Sequence, residues 1–321
     1  MPMADSGEAA SASEASRRTP PRTPLPAAGG QRDIGDHGNA TRTAARVTRA
    51  TFRLVSRLAY DELVDVLRGP VEAGRTGGPA FDHAVAQALL RRANRGDAGP
   101  ATRIYRPGAP VVAFGRRDTM LPGFPAALRA VRRAGFAPVL RSPGGRAIAY
   151  TPDSVVVDHI GADGSAVPGL DARFTEYAQL WTDVLGELGV DARVGQVPGE
   201  FCAGPHSVNA RGAVKLVGTA QRILRRAWLF SAVVVVDGAE QVRAVLTEVY
   251  RELELPFDPA SVGSVRGEAP ELSTDRVEKA VVAAYEQRFP AVAASARPDL
   301  LEEAAGMVDG HRLDDEASSV D

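Results

Sequence analysis

The chain has 321 residues, 38 basic and 40 acidic side chains, a formal net charge of -2, 44% hydrophobic residues and one cysteine. That is enough apolar material for one large domain or two small ones, and the near-neutral balance argues against nucleic-acid binding through bulk electrostatics. No apolar run approaches the ~20 residues that span a bilayer, the lone cysteine forms no internal disulfide, and no apolar signal region follows Met1, so a reducing cytoplasm is the expected compartment.

In chain order, residues 1–48 are rich in Ala, Ser, Pro, Gly and Thr without hydrophobic periodicity, which predicts a disordered tail. Asp5, Glu8, Glu14, Asp33 and Asp36 count against a transit peptide. A folded region is expected over residues 50–292. Its first helix carries Phe81, Val85, Ala88 and Leu89 on one face and Arg91, Arg92 and Arg95 on the other, with Gly96 as a stop, the pattern of a surface helix. Strand-like runs follow: "TRIYRPGAPVVAFG", "FAPVLR", "RAIAYT" and "SVVVDHI". A second helix is predicted from Phe174, Tyr177, Trp181, Val184, Leu185 and Leu188. The strands "AVKLVGTAQRI" and "AWLFSAVVVV" come next, then a helix on Val242, Val245, Leu246, Val249 and Leu253 and another over Val277 to Phe289. Several strands are joined by turns too short for a crossover helix, which implies antiparallel pairing. The expected fold class is α+β, a mainly antiparallel sheet with packed helices. From residue 298 to 321 the chain turns acidic, with seven acids against one arginine between Glu302 and Asp321, and is expected to be mostly disordered.

Two segments stand out chemically. In "VLRSPGGRAIAY" a strand is broken by Pro143, Gly144 and Gly145 between Arg141 and Arg146. A glycine pair lets the backbone approach a ligand closely, and in the strand that follows Arg146, Ile148 and Tyr150 share one face while Ala147 and Ala149 share the other. The small face suggests a narrow slot. The alternative is a plain glycine turn with exposed arginines, and the run is neither a Walker A loop nor a Rossmann fingerprint. The second segment, "GEFCAGPHSVNARGAVKLVGTAQRI", holds Cys202 in a loop framed by Pro198-Gly199 and Gly204-Pro205, and Lys215, one of two lysines in the chain. Positive potential from His206 and Lys215 would lower the thiol pKa. A lysine inside so apolar a strand is costly unless it reaches water or a partner. A cysteine of no consequence and a surface lysine are the plainer readings of the same residues.

Taken together, "RSPGGRAIAY" and "AVKLVGTAQRI" resemble the paired signatures of the biotin/lipoate A/B protein ligase family, in matching order and separation, over about residues 52 to 290. The resemblance implies a fold shared with biotin protein ligases and class II synthetases, and transfer of a medium-chain acyl group, octanoyl or lipoyl, to a lysine of a lipoyl carrier domain. In one branch of the family a cysteine thioester carries octanoyl and no cofactor is required; in the other, ATP and Mg support a lipoyl adenylate. The resemblance assigns Cys202 as nucleophile and Lys215 as the group that polarises the acyl carbonyl or binds phosphate. It assigns Arg141, Gly144, Gly145, Arg146, Ala147, Gly218, Thr219 and Ala220 to the acyl site, with no metal site. The partners it implies are acyl carrier protein and lipoyl-domain proteins, either the glycine cleavage H protein or a 2-oxoacid dehydrogenase E2. Gly-Gly-Arg in place of Gly-Gly-Gly, and no counterpart after residue 292 of the further domain of many ligases, favour the cysteine transferase. A non-catalytic acyl or carrier-protein binder is the third reading. Pro143 stands where Ser or Thr is usual, and "TPDS" stands where His-Asp is expected.

Overall fold

The computed structural model describes residues 64–68, 78–162 and 169–313. The expected tail over 1–48 lies outside these residues, as do residues 314–321. The first half contains β1 (Val64–Arg68), α1 (Gly78–Arg95), β2 (Ala101–Tyr105), β3 (Val111–Phe114), α2 (Phe124–Arg133), β4 (Ala137–Leu140), β5 (Ile148–Tyr150) and β6 (Ser154–Gly161). Then follow α3 (Leu170–Glu187), β7 (Ala192–Val194), β8 (Val208–Ala210), β9 (Val214–Ile223), β10 (Trp228–Val235) and α4 (Ala239–Glu252). The last elements are α5 (Val265–Glu268), α6 (Thr274–Arg288), β11 (Ala291–Ala294) and α7 (Pro298–Ala305).

The β-branched and aromatic runs make the centre of an eight-stranded sheet, ordered β11-β1-β2-β6-β10-β9-β8-β7. β10 pairs antiparallel along its whole length with β6, Trp228 opposite Gly161 and Val235 opposite Ser154, and on its other side with β9. Alternation along β10 divides the core. Phe230, Ala232 and Val234 face Tyr177 and Trp181 of α3 and Val281 and Tyr285 of α6, while Leu229 and Val233 face α1. A second sheet, β4-β3-β5, packs under α2 and α4 through Val112, Phe114, Leu128, Val131, Leu246 and Val249. The α+β class is therefore as expected, with parallel exceptions: β1 pairs parallel with β2 and β11, and β3-α2-β4 is a βαβ unit. The continuous run "TRIYRPGAPVVAFG" is two strands in different sheets, because Pro107 to Pro110 break it.

Two expectations are corrected. The first helix is not a surface helix: Ala80, Phe81, Ala84 to Ala86, Ala88 to Leu90 and Ala93 are all buried. The reason lies at the other end of the chain, where residues 298–313 are folded and not disordered. Leu300, Leu301, Ala304 and Val308 bury against α1, and the acids that read as a solvated tail pair with its arginines, Glu303 with Arg92 and Arg95 and Asp299 with Arg92. Counting charge alone hid the amphipathic pattern.

Two histidines pack in this core, His159 buried and His83 half-buried. His159 bonds Thr102 Oγ1 at 2.7 Å and stacks on Trp228, while His83 bonds the Tyr150 hydroxyl at 3.0 Å. Burial pushes both down to about 3, helped at His83 by the charges of His311, Arg141 and Arg103. The folded state keeps them neutral while the unfolded chain protonates them near 6.5, so their contribution to stability is present above that pH and lost as pH falls. Each loses about 2 kcal/mol by pH 5. Asp158, which burial raises to about 6, works the other way and gains stability as pH falls through that value, by about 1 kcal/mol. The unfolding free energy is accordingly expected to drop by about 2 to 3 kcal/mol between pH 7 and pH 5. Urea titrations across that range check it: His159→Gln should roughly halve the histidine contribution, and a flat profile in the parent protein would contradict it.

Candidate active site

The site forms where the loop between β4 and β5 meets the loop between β7 and β8. At the first, Gly145 has φ of +102°. A Cβ there would lie 2.5 Å from Arg141 Nη2 and 2.6 Å from Cys202 Sγ, so glycine is required both by conformation and by the groups it lets approach. Gly144 is different: nothing lies within 4 Å of a Cβ built on it, and its N–H reaches the carbonyl of Gln221 at the end of β9, 3.4 Å away. That contact joins the two segments singled out in the sequence.

Cys202 occupies the left-handed region, φ +43°, in the second loop. Its Sγ accepts from Arg141 Nη2 and from the Arg146 backbone N–H, each at 3.3 Å. Its own N–H donates to the Tyr250 hydroxyl at 2.7 Å, which donates in turn to the Ala147 carbonyl at 3.0 Å. Burial pushes the thiol up, but the charges of Arg141 and Lys215 and the two hydrogen bonds outweigh it, and the net shift is downward. Sγ thus lies where two donors favour its anion.

Lys215 is not on the surface. It is 2% exposed, and its Nζ donates to Glu200 Oε1 at 3.1 Å, the Phe201 carbonyl at 2.9 Å and the Cys202 carbonyl at 3.1 Å. Burial lowers its pKa, partly offset by Glu200 and Cys202. These three bonds use its three hydrogens, so Lys215 braces the cysteine loop and donates to an acyl oxygen only by exchanging one of them. Glu200 is the hub of that loop, a residue the sequence reading missed. Its Oε1 also accepts from Ser207 Oγ at 2.6 Å and the Gly204 N–H at 3.1 Å, and its Oε2 from the Val197 N–H at 3.0 Å. An acid two residues before a cysteine, inside Pro- and Gly-framed loop, was the available signal. His206 stacks on Phe174 and is not among the groups that perturb Cys202.

The remaining expected site residues divide. Arg141, Gly145 and Arg146 meet at Cys202. The Arg146 side chain turns away, to Asp118 Oδ1 at 3.2 Å and the Arg117 carbonyl at 3.3 Å, and Asp118 accepts the Gly115 N–H at 2.9 Å. Gly115 approaches so closely that a Cβ on it would sit 2.0 Å from the Gly145 carbonyl oxygen. Asp118 is fully buried, which raises its pKa against the pull of these bonds. Ala147 and Ala149 do not line a slot: both are buried in the core beneath α2 and α4. Gly218, Thr219 and Ala220 lie along β9 opposite Val233, Ala232 and Ser231; Gly218 lies against the Lys215 side chain, a Cβ on it falling 3.5 Å from Lys215 Cε, and none of the three lines either cavity beside Arg141. The cavity beside Arg141 lies on the opposite face of β5, lined by Ala86, Pro143, Ile148, Val156, Leu229 and Val233, with His83, Tyr105, Ser142, Tyr150, Asp158 and Ser231 as its other polar groups. At about 20 Å³ it has room for about one water, so an acyl chain enters only as these side chains move apart. No group of three His, Cys, Asp or Glu suited to a metal occurs among the described residues, and no helix among them is long and apolar enough to cross a membrane.

The family of the lipoyl protein ligase A/B catalytic domain matches residues 78–286 of this sequence. The chain belongs to that family. A curated relative from Geobacillus kaustophilus (strain HTA426), octanoyl-[GcvH]:protein N-octanoyltransferase, is 25% identical over 180 residues, 55% of this chain and 63% of that protein. The match therefore spans somewhat less than two thirds of the relative's length. Among solved structures, lipoate-protein ligase A bound with ATP superposes with a TM-score of 0.61 at 18% identity, covering 77% of this chain and 95% of that one. Ta0514 from T. acidophilum, a protein with bound lipoic acid, gives 0.59 at 17% identity over 78% and 96%. At such identities the likeness establishes the lipoate-ligase fold, as the sequence signatures implied.

Gly145→Ala tests the family's glycine pair in this chain. The side chain would displace the Arg141 guanidinium from Sγ, and the alkylation rate of Cys202 at neutral pH is expected to fall severalfold as the thiol pKa rises. An unchanged pH–alkylation profile would contradict this placement.

Proposed function

We propose that this protein transfers an octanoyl-class acyl group from a carrier protein to a lysine of a lipoyl carrier domain, through a thioester on Cys202. The observation that carries the reading is the thiolate environment: Sγ within 3.3 Å of Arg141 Nη2 and of the Arg146 N–H, in a loop braced by Lys215. The transferase activity of the Geobacillus relative supports it, and its name points to an H-protein-type octanoyl donor in preference to acyl carrier protein.

The chemistry runs in two halves. Thiolate attack on the donor's acyl carbonyl forms the C–S bond and an oxyanion; collapse breaks the bond to the donor's sulfur or nitrogen, which leaves after taking up one proton. In the second half the acceptor lysine, as free amine, attacks the acyl-cysteine, loses one proton, and regenerates the thiolate. Arg141 and the Arg146 N–H, which hold Sγ, are placed to donate to the acyl oxygen on which negative charge develops, and a well-placed donor there is worth about 3 to 4 kcal/mol. Exchange of one lysine amide for another is close to thermoneutral, so the reaction needs no ATP. Burying the acyl chain among Ile148, Val156, Leu229 and Val233 adds about 0.8 kcal/mol per CH₂.

The test offers an apo lipoyl domain three donors separately: octanoylated H protein, octanoyl-acyl carrier protein, and lipoate with ATP and Mg. Transfer from an octanoyl carrier without ATP is the expected result. Transfer confined to lipoate with ATP would make this chain a lipoate-protein ligase that forms a lipoyl adenylate, and no transfer from any donor would leave a non-catalytic binder.

A further inference from the structure

Beside Arg141 lies a second cavity of about 160 Å³, several times what one water needs. Arg91, Arg116, Arg141 and Arg222 line it, with Ser142 and His311, and no carboxylate is among its lining residues. Arg91, Arg116 and Arg222 are exposed and Arg141 is buried, and with no carboxylate in the lining their combined positive charge favours an anion there. The polar groups of the wall are oriented for one. His311 Nδ1 donates to the Leu140 carbonyl at 2.7 Å, and with the Gln87 amide turned to satisfy its neighbours its nitrogen donates to His311 Nε2 at 2.6 Å and Ser142 Oγ at 3.2 Å. The imidazole is then neutral, and the Ser142 hydroxyl proton is left to donate into the cavity. Arg141 is 6% exposed; its Nη2 serves Cys202 Sγ and the Arg146 carbonyl, while its Nε is buried without a partner among the described residues. A buried guanidinium N–H left unbonded is costly, and bound phosphate oxygens at this wall would satisfy it.

We propose that this cavity is a binding site for a phosphate group, and that its occupant competes with the Cys202 thiolate for the charge of Arg141. Neither part depends on Cys202 being the nucleophile. Arg141 is shared, so linkage is reciprocal: a bound dianion weakens the stabilisation of the thiolate, and a thiolate weakens binding of the dianion. Whether the phosphate is free or carried as an ester by a donor or a nucleotide, the chemistry recognised is the same.

Because Cys202 is the only cysteine, iodoacetamide alkylation of the full chain, followed by intact mass, reads its thiolate fraction without interference. At constant ionic strength, inorganic phosphate replacing chloride is expected to slow alkylation near pH 7 severalfold and to shift the pH profile upward. In Arg116→Gln/Arg222→Gln that phosphate-to-chloride ratio should return towards one. Should the double variant fail to fold, Arg222→Gln alone and broadening of the phosphate ³¹P signal by the parent protein give the same readout. Phosphopantetheine and AMP, added at equal concentration, separate the sources: a larger effect from either assigns an ester, and a larger effect from inorganic phosphate assigns the free ion. Equal alkylation rates in phosphate and chloride for the parent protein, or an undiminished effect in the double variant, would overturn the proposal, whatever the outcome of the transfer assays.

Discussion

Cys202→Ser is expected to reduce acyl transfer by at least about a thousandfold, the scale on which loss of a nucleophile is felt, with the fold unchanged by circular dichroism. The reason lies in the partners of Sγ. Both are donors, Arg141 Nη2 and the Arg146 N–H, and neither is a base. Such a setting stabilises an anion that forms readily, as a thiolate does near neutral pH, but provides nothing to take the proton from a serine hydroxyl. His206, the base the sequence offered nearby, is stacked on Phe174. Substantial activity in the serine variant would remove the cysteine from the mechanism and favour the ATP-dependent reading.

Lys215→Met should act on two levels. The methionine fills the apolar path of the lysine stem but removes the ammonium, leaving the buried Glu200 carboxylate without its counter-charge and the Phe201 and Cys202 carbonyls without that donor. Breaking a buried pair by removing one partner costs about 3 to 5 kcal/mol. Loss of a positive charge beside Cys202 also raises its thiol pKa, so transfer at neutral pH is expected to fall on the order of a hundredfold. Adding Glu200→Gln separates the two effects. The double variant should recover much of the stability, read by urea unfolding, and none of the thiolate, read by the pH profile of alkylation. Full recovery of transfer in the double variant would show that Lys215 acts on the fold alone.

Much of this site was legible in the residues. The glycine pair is interpretable because Gly145 has a job that any side chain would spoil, and the cysteine because Pro and Gly frame it in a loop. The long helices were visible for the ordinary reason that Tyr177, Trp181 and Leu185, or Val242, Val245 and Val249, recur at helical spacing toward one core. What stayed hidden depended on which layer covers each element. Alternation in β5 separates Ala147 and Ala149 from Ile148 and Tyr150, but nothing in the chain says which pair faces α2 and α4 and which the cavity. The burial of Lys215 follows from Glu200 fifteen positions away folding back on it, a pairing of partners that periodicity does not report. α2 went unseen because "FPAALRAVRR" is short and arginine-rich, and its apolar face is defined only once α4 lies against it. The segment after residue 298 misled for the same reason, its acids being partners of α1.

The central claim is a covalent acyl group on one sulfur. Incubating the full chain with octanoylated H protein, without acceptor and without ATP, and recording the intact mass tests it most directly. The account predicts a mass increment of one octanoyl group, removed by neutral hydroxylamine as a thioester is, and absent from Cys202→Ser. A wild-type protein that turns over octanoyl donors while never carrying that adduct, or that transfers acyl groups only when ATP is supplied, would contradict it.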